Sequence, residues 1–100
     1  MALLNDMLNA AQAAAGTDWA KIRPDVTTFA QNLVQNTAQT EADLVSGAIS
    51  KDEAKVQFDQ IADYSAILKD YADVAIRLVI QDSFNAAVDV LWKAIDAKIP

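Results

Sequence analysis

Only four of the 100 residues are glycine or proline: Gly16, Pro24, Gly47 and Pro100. Glycine commonly ends helices and proline starts or breaks them, so a chain this sparsely punctuated has few places to turn. From Lys51 to Ile99 there is neither residue. A protein of short strands needs turn residues at close, regular intervals, and almost none are offered here. Twenty alanines, the residue with the best helix propensity, point the same way. The fold class that follows is all-α, in one domain spanning residues 1–100.

Residues 2–15 read as a first, short helix. Leu4, Met7, Leu8 and Ala11 recur at helical spacing, and Gly16 suits the left-handed position just past a helix end. Thr17 and Asp18 offer cap chemistry for a second helix over 18–46, with a kink or break expected at Pro24. Its apolar positions are Val26, Phe29, Ala30, Leu33 and Val34, then Leu44 and Val45. Between Gln35 and Asp43 no large apolar side chain occurs, and Thr37 and Thr40 take the core-facing positions.

The segment LVSGAISKDEA, Leu44–Ala54, carries the clearest local signal. Gly47 fits a left-handed helix end, and Ser50 with Glu53 forms the S-x-x-E capping box of a new helix. Asp52 and Glu53 favour the positive end of its dipole. A link this short makes its two helices antiparallel neighbours.

Beyond it, Lys55, Asp59, Asp63, Ala66, Asp70, Asp73, Arg77, Gln81, Asn85, Asp89, Lys93 and Asp96 form a stripe, polar at every position but Ala66, that recurs at about 3.7 residues per step. Its unbroken phase predicts one helix over 51–98, about 70 Å long. Gln81–Asn85 is its weak point, where Asp82 or Ser83 could cap a fresh helix.

Within that helix, Val74–Ile95 is apolar at 15 of 22 positions. Ile76, Ile80, Phe84, Val88 (or Ala87), Leu91 and Ile95 make the ridge, and Val79, Ala86, Val90 and Ala94 widen it. Such a helix touches at least two neighbours. In an extended hairpin only residues 2–22 reach it, and one short helix covers one side. The expectation is a helical bundle completed by a homodimer or another protein, with Ile80, Phe84, Val88, Leu91, Trp92 and Ile95 at the interface.

Composition narrows the function. The chain has no cysteine and no histidine, which removes thiol chemistry and the commonest general base and metal ligand. Its net charge is −6, and each half carries −3. Without a Lys/Arg patch, no nucleic-acid binding is expected. Arg77, Asp82, Asp89 and Lys93 argue against a membrane-spanning Val74–Ile95. The first helix lacks the positive flank of a signal peptide, so the expected location is cytoplasmic. Asp59/Asp63 and Asp70/Asp73 are helical neighbours, but they belong to a solvated stripe, so no metal or other cofactor is expected. Tyr64 and Tyr71, seven apart, and Trp19 and Trp92 read as packing residues.

In length, acidity and a hairpin with Gly47 near its middle, the chain resembles the small secreted WXG-type helical hairpin proteins. Where that family has Trp-x-Gly, this chain has Val45-Ser46-Gly47, and the family's tyrosine-containing C-terminal export signal is not matched. The resemblance is one of shape. It implies a secreted helical hairpin protein as an alternative to the leading expectation, a non-enzymatic interaction or assembly protein that self-associates. A small helical carrier enclosing an apolar ligand is the other alternative.

Overall fold

The computed structural model describes residues 2–69, 71 and 73–98, and no strand occurs among them. Helix α1 is Ala2–Ala15, and a single 3-10 turn, Gly16–Asp18, joins it to α2, Trp19–Ser46. Then come α3 (Lys51–Ile61), the one-turn α4 (Ser65–Leu68) and α5 (Val74–Asp96). The molecule measures 43 × 26 × 17 Å. Its long axis matches the 28 residues of α2, about 42 Å of helix.

Two glycines make the tight ends. Gly16 and Gly47 have φ of +58° and +83°, which a residue with a Cβ adopts only under strain. At Gly47 the Ala48 N–H reaches the Asp43 carbonyl at 2.8 Å and the Gly47 N–H the Leu44 carbonyl at 3.2 Å, the paired bonds of a Schellman end. Three residues on, the capping box is formed. The Glu53 N–H donates to Ser50 Oγ at 3.1 Å, and the Ser50 N–H donates to Glu53 Oε1 at 3.2 Å. The chain turns here from α2 to the next helix.

Pro24 lies inside α2, and no new helix starts there. Ala20 and Pro24 are both exposed, so the carbonyl left without an amide partner is open to water. The thin middle of α2 is buried nonetheless. Thr37 is 1% exposed and donates to the Leu33 carbonyl at 2.8 Å; Thr40 donates across to Gln57 Oε1 of α3 at 3.2 Å.

The long helix expected over 51–98 is divided, and not at Gln81–Asn85, which is continuous α-helix. The chain leaves α3 at Ala62, makes the one turn of α4 and enters α5 at Val74. Two aspartates of the polar stripe take up backbone amides on either side of this break. Asp63 Oδ1 accepts the Ser65 N–H at 2.9 Å, and Asp73 Oδ1 accepts the Ala75 N–H at 2.9 Å with Asp73 itself extended. Short acidic side chains compete for backbone amides in this way.

The fold-back brings α5 antiparallel to α3 and parallel to α2. Lys51 pairs with Asp96 at 2.7 Å, Phe58 packs on Trp92, and Tyr64 reaches Asn85. Along α2, Asp25 accepts the Tyr71 hydroxyl, Phe29 stacks on Phe84, and Glu41 pairs with Lys98. α1 packs against both α2 and α5, most extensively against α5. Small buried residues, Ala11 and Ala15 in α1 and Ser83 and Ala87 in α5, suit a close helix approach.

Candidate interaction surface

Ile80, Phe84, Leu91 and Ile95, four of the six residues expected at a shared core, are at most 1% exposed inside this one chain. Val88 and Trp92 are half-buried on one shoulder of α5. The expectation that residues 2–22 leave much of α5 uncovered is corrected for a plain reason. It assumed an unbroken 51–98 helix, whereas the chain folds back between α3 and α5 and sets α5 along α2, α3 and α1. The aromatic centre shows the closure. Phe29 and Phe84 stack with centroids 4.4 Å apart, and Tyr64 stands edge-on to both rings.

The large apolar side chains that remain exposed lie elsewhere: Val45, Val56, Val74 and Leu78. Periodicity explains Val56 and Leu78. In α3 the buried residues are Ala54 and Phe58, so Val56, two positions from either, projects from the opposite side. In α5 the core face carries Ile80, Phe84, Ala87 and Leu91, while Leu78 shares the outer face with Asp82, Asn85 and Asp89. Sequence reasoning singled out none of them as exposed, because it assigned the apolar positions of each helix to the core or to a shared interface. Their phase against the core ridge was the available signal.

Val56 sits where two open depressions meet. One, of about 610 Å³, is lined by Val56, Asp59, Gln60, Ala62, Asp63, Tyr64, Ser65 and Leu68. The other, of about 380 Å³, is lined by Asp52, Glu53, Val56 and Gln57. Together they make a shallow groove along the outer side of α3 into the α3–α4 corner. Its floor is mostly apolar, and no lysine or arginine lines it. Lys55 is bonded to Asp59 Oδ1, at the edge of the groove, at 2.8 Å with its ammonium 4.9 Å from the centre of the Trp92 ring. Among the described residues no lysine or arginine pairs with Asp52, Glu53 or Asp63. The Ser65 amide, aided by its hydroxyl, holds the Asp63 carboxyl below the usual carboxylate range.

Of the aspartate pairs, Asp59 and Asp63 both line the groove, and Asp73 caps α5. Asp70 lies outside the described residues. Among the described residues no group of three or more His, Cys, Asp or Glu is placed to hold a metal ion, and no helix is long and apolar enough to cross a membrane. Tyr64 and Tyr71 bridge elements, Tyr64 to Asn85 and Tyr71 to Asp25. Trp92 packs on Phe58, and Trp19 is half-buried against the core.

Against protein-family models, curated proteins and solved structures, the chain finds no match.

Proposed function

We propose that this chain is a non-enzymatic helical interaction protein that engages another protein through its surface. One observation carries the reading: the core closes within a single chain, yet large aliphatic side chains stay exposed, Val56 at 58% and Val74 at 66%. Val56 borders two open depressions beside α3, and contiguous exposed apolar surface of that kind supports a contact site. The chemistry of an enzyme has little support. There is no histidine or cysteine, and the Ser83 hydroxyl is fully buried without a hydrogen-bond partner. A carrier for an apolar ligand calls for an enclosed, lined cavity. The depressions beside α3 are open to solvent, and the Phe29–Phe84–Tyr64 centre is filled.

Self-association is the second reading, and Val74 with Leu78, one turn apart and both exposed on α5, is the observation that favours it. A two-fold contact there would set the pair against itself. Two side chains fall short of the roughly 800 Å² per partner of a stable interface, so the heterologous reading leads.

The test is a photo-reactive amino acid placed singly at Val56, Val74 or Leu78 in the cells that produce the chain, with exposed Ala13 as the control position. The expected result is a covalent adduct of discrete mass from at least one apolar site and none from Ala13. No adduct at any apolar site would overturn the interaction reading. An adduct of twice the chain mass confined to Val74 and Leu78 would replace it with self-association.

A further inference from the structure

We infer that the groove along α3 is a docking site for a cationic amphipathic helix of another protein, with Val56 and Leu68 meeting its apolar face and Asp52, Asp59 and Asp63 meeting its Lys/Arg flanks. The inference rests on the interaction reading and names its partner class and place. Three features of the groove select this occupant. Its floor is apolar and its rim is carboxylate, with no basic residue lining it. Complementary charge therefore belongs to the partner. A second copy of the chain brings a net charge of −6 to an already acidic rim. Nucleic acid and anionic lipid are repelled for the same reason. The groove also follows a helix of 11 residues, about 16 Å, with no strand edge to pair an extended peptide. A helix of three turns laid alongside α3 places its i, i+3 and i+7 side chains over Val56 and the corner at Tyr64 and Leu68.

Val56 gains most from such a contact, since it is 58% exposed in the free chain and sits where both depressions meet. Among the described residues Asp52 and Asp63 pair with no lysine or arginine, whereas Asp59 shares Lys55. The contribution of the rim is therefore strongest at the two ends of the groove and weakest at its middle.

The probe is a synthetic helical peptide with leucines at i, i+3 and i+7 and lysines on both flanks. Binding is followed by fluorescence anisotropy and by amide shift changes in the labelled protein. Two control peptides keep the composition with scrambled leucine spacing, or replace each lysine by glutamate. The expected shift changes cluster on residues 52–68. Val56→Lys should weaken binding roughly tenfold or more, while Leu78→Lys, the same change in charge elsewhere, should stay within about twofold. Raising salt from about 0.1 M to about 1 M, which shortens the Debye length from about 10 Å to about 3 Å, should weaken it further. Both substitutions are at exposed positions, and unchanged circular dichroism checks the fold. Shift changes centred on Val74–Leu78 would overturn the groove and leave the interaction reading standing. Equal binding of the scrambled or glutamate peptide, or no binding of the lysine peptide, would overturn this occupant. Failure of the broader reading is recorded separately, by cross-linking that yields no adduct at any apolar site.

Discussion

The Tyr64 hydroxyl donates to Asn85 Oδ1 at 2.8 Å while its ring stands edge-on to Phe84, centroids 5.1 Å apart. One side chain thus fastens the corner between α3 and α4 to the middle of α5. Burial raises the phenol's pKa above its ordinary value, and the Asp82 and Asp63 carboxylates add to the rise.

A raised acid pKa means the folded chain holds the Tyr64 proton more tightly than the unfolded chain does. The stability it contributes is present in full below the ordinary tyrosine value of about 10 and is lost as pH rises through the elevated one. Tyr64→Phe should therefore lower the Tm modestly near neutral pH, by the loss of one hydrogen bond worth at most about 1 kcal/mol. That deficit should shrink in alkaline solution, where the wild type alone must keep a phenolate near two carboxylates. Thermal melts across the alkaline range check this, and parallel pH profiles for the two proteins would refute the coupling.

The turn between α2 and α3 gives a second expectation. Ser50→Ala removes the acceptor for the Glu53 amide and should cost about 1 kcal/mol. Gly47→Val should cost more, because φ of +83° is hostile to a β-branched residue even though nothing within 4 Å would meet its Cβ. Denaturant melts measure both, and an unmoved midpoint for the pair would mean that this turn does not limit stability.

That turn was legible in the sequence because Gly47, Ser50 and Glu53 act locally, on amides within a few residues. The reversal at 62–73 was not. Asp63 and Asp73 keep the phase of the polar stripe, since an exposed aspartate fits that stripe both within a helix and just ahead of one. What decides between the two is tertiary. A straight helix of about 70 Å strands Ile80, Phe84, Leu91 and Ile95, whereas the folded-back chain buries all four. The candidate groove was illegible for a related reason. Asp52, Asp59 and Asp63 were visible as acids, but Val56 becomes notable only once Ala54 and Phe58 fix which side of α3 faces the core.

Ser83 should be improvable. Its hydroxyl is fully buried and has no hydrogen-bond partner, in a part of α5 otherwise packed with apolar neighbours. Ser83→Ala removes the unpaired group, raises helix propensity and leaves almost no void. A gain of about 1 kcal/mol is expected, which in a domain of this size raises the Tm by roughly 4–8 °C. A lower Tm would show that the hydroxyl has a partner in solution, such as a buried water.

Leu91 and Leu78 separate the core from the surface, and with it folding from association. Both lie on α5, but Leu91 is 1% exposed and Leu78 is 56% exposed. Leu91→Asp puts a carboxylate into the closed interior, where no lysine or arginine is buried to pair with it. A domain with a stability of roughly 5–15 kcal/mol tolerates that poorly, so the variant should unfold. Leu78→Asp joins Asp82, Asn85 and Asp89 on the outer face and should leave the melt nearly unmoved. Light scattering at tens of micromolar then decides the assembly question. The wild type is expected at its single-chain mass of 10.8 kDa, because Val74 and Leu78 alone expose too little apolar surface for a stable pair. A wild-type mass of twice that value, returning to one chain on Leu78→Asp with the fold intact, would establish a dimer built on the outer face of α5. The same doubled mass surviving Leu78→Asp would move the contact to the half-buried shoulder of Val88 and Trp92.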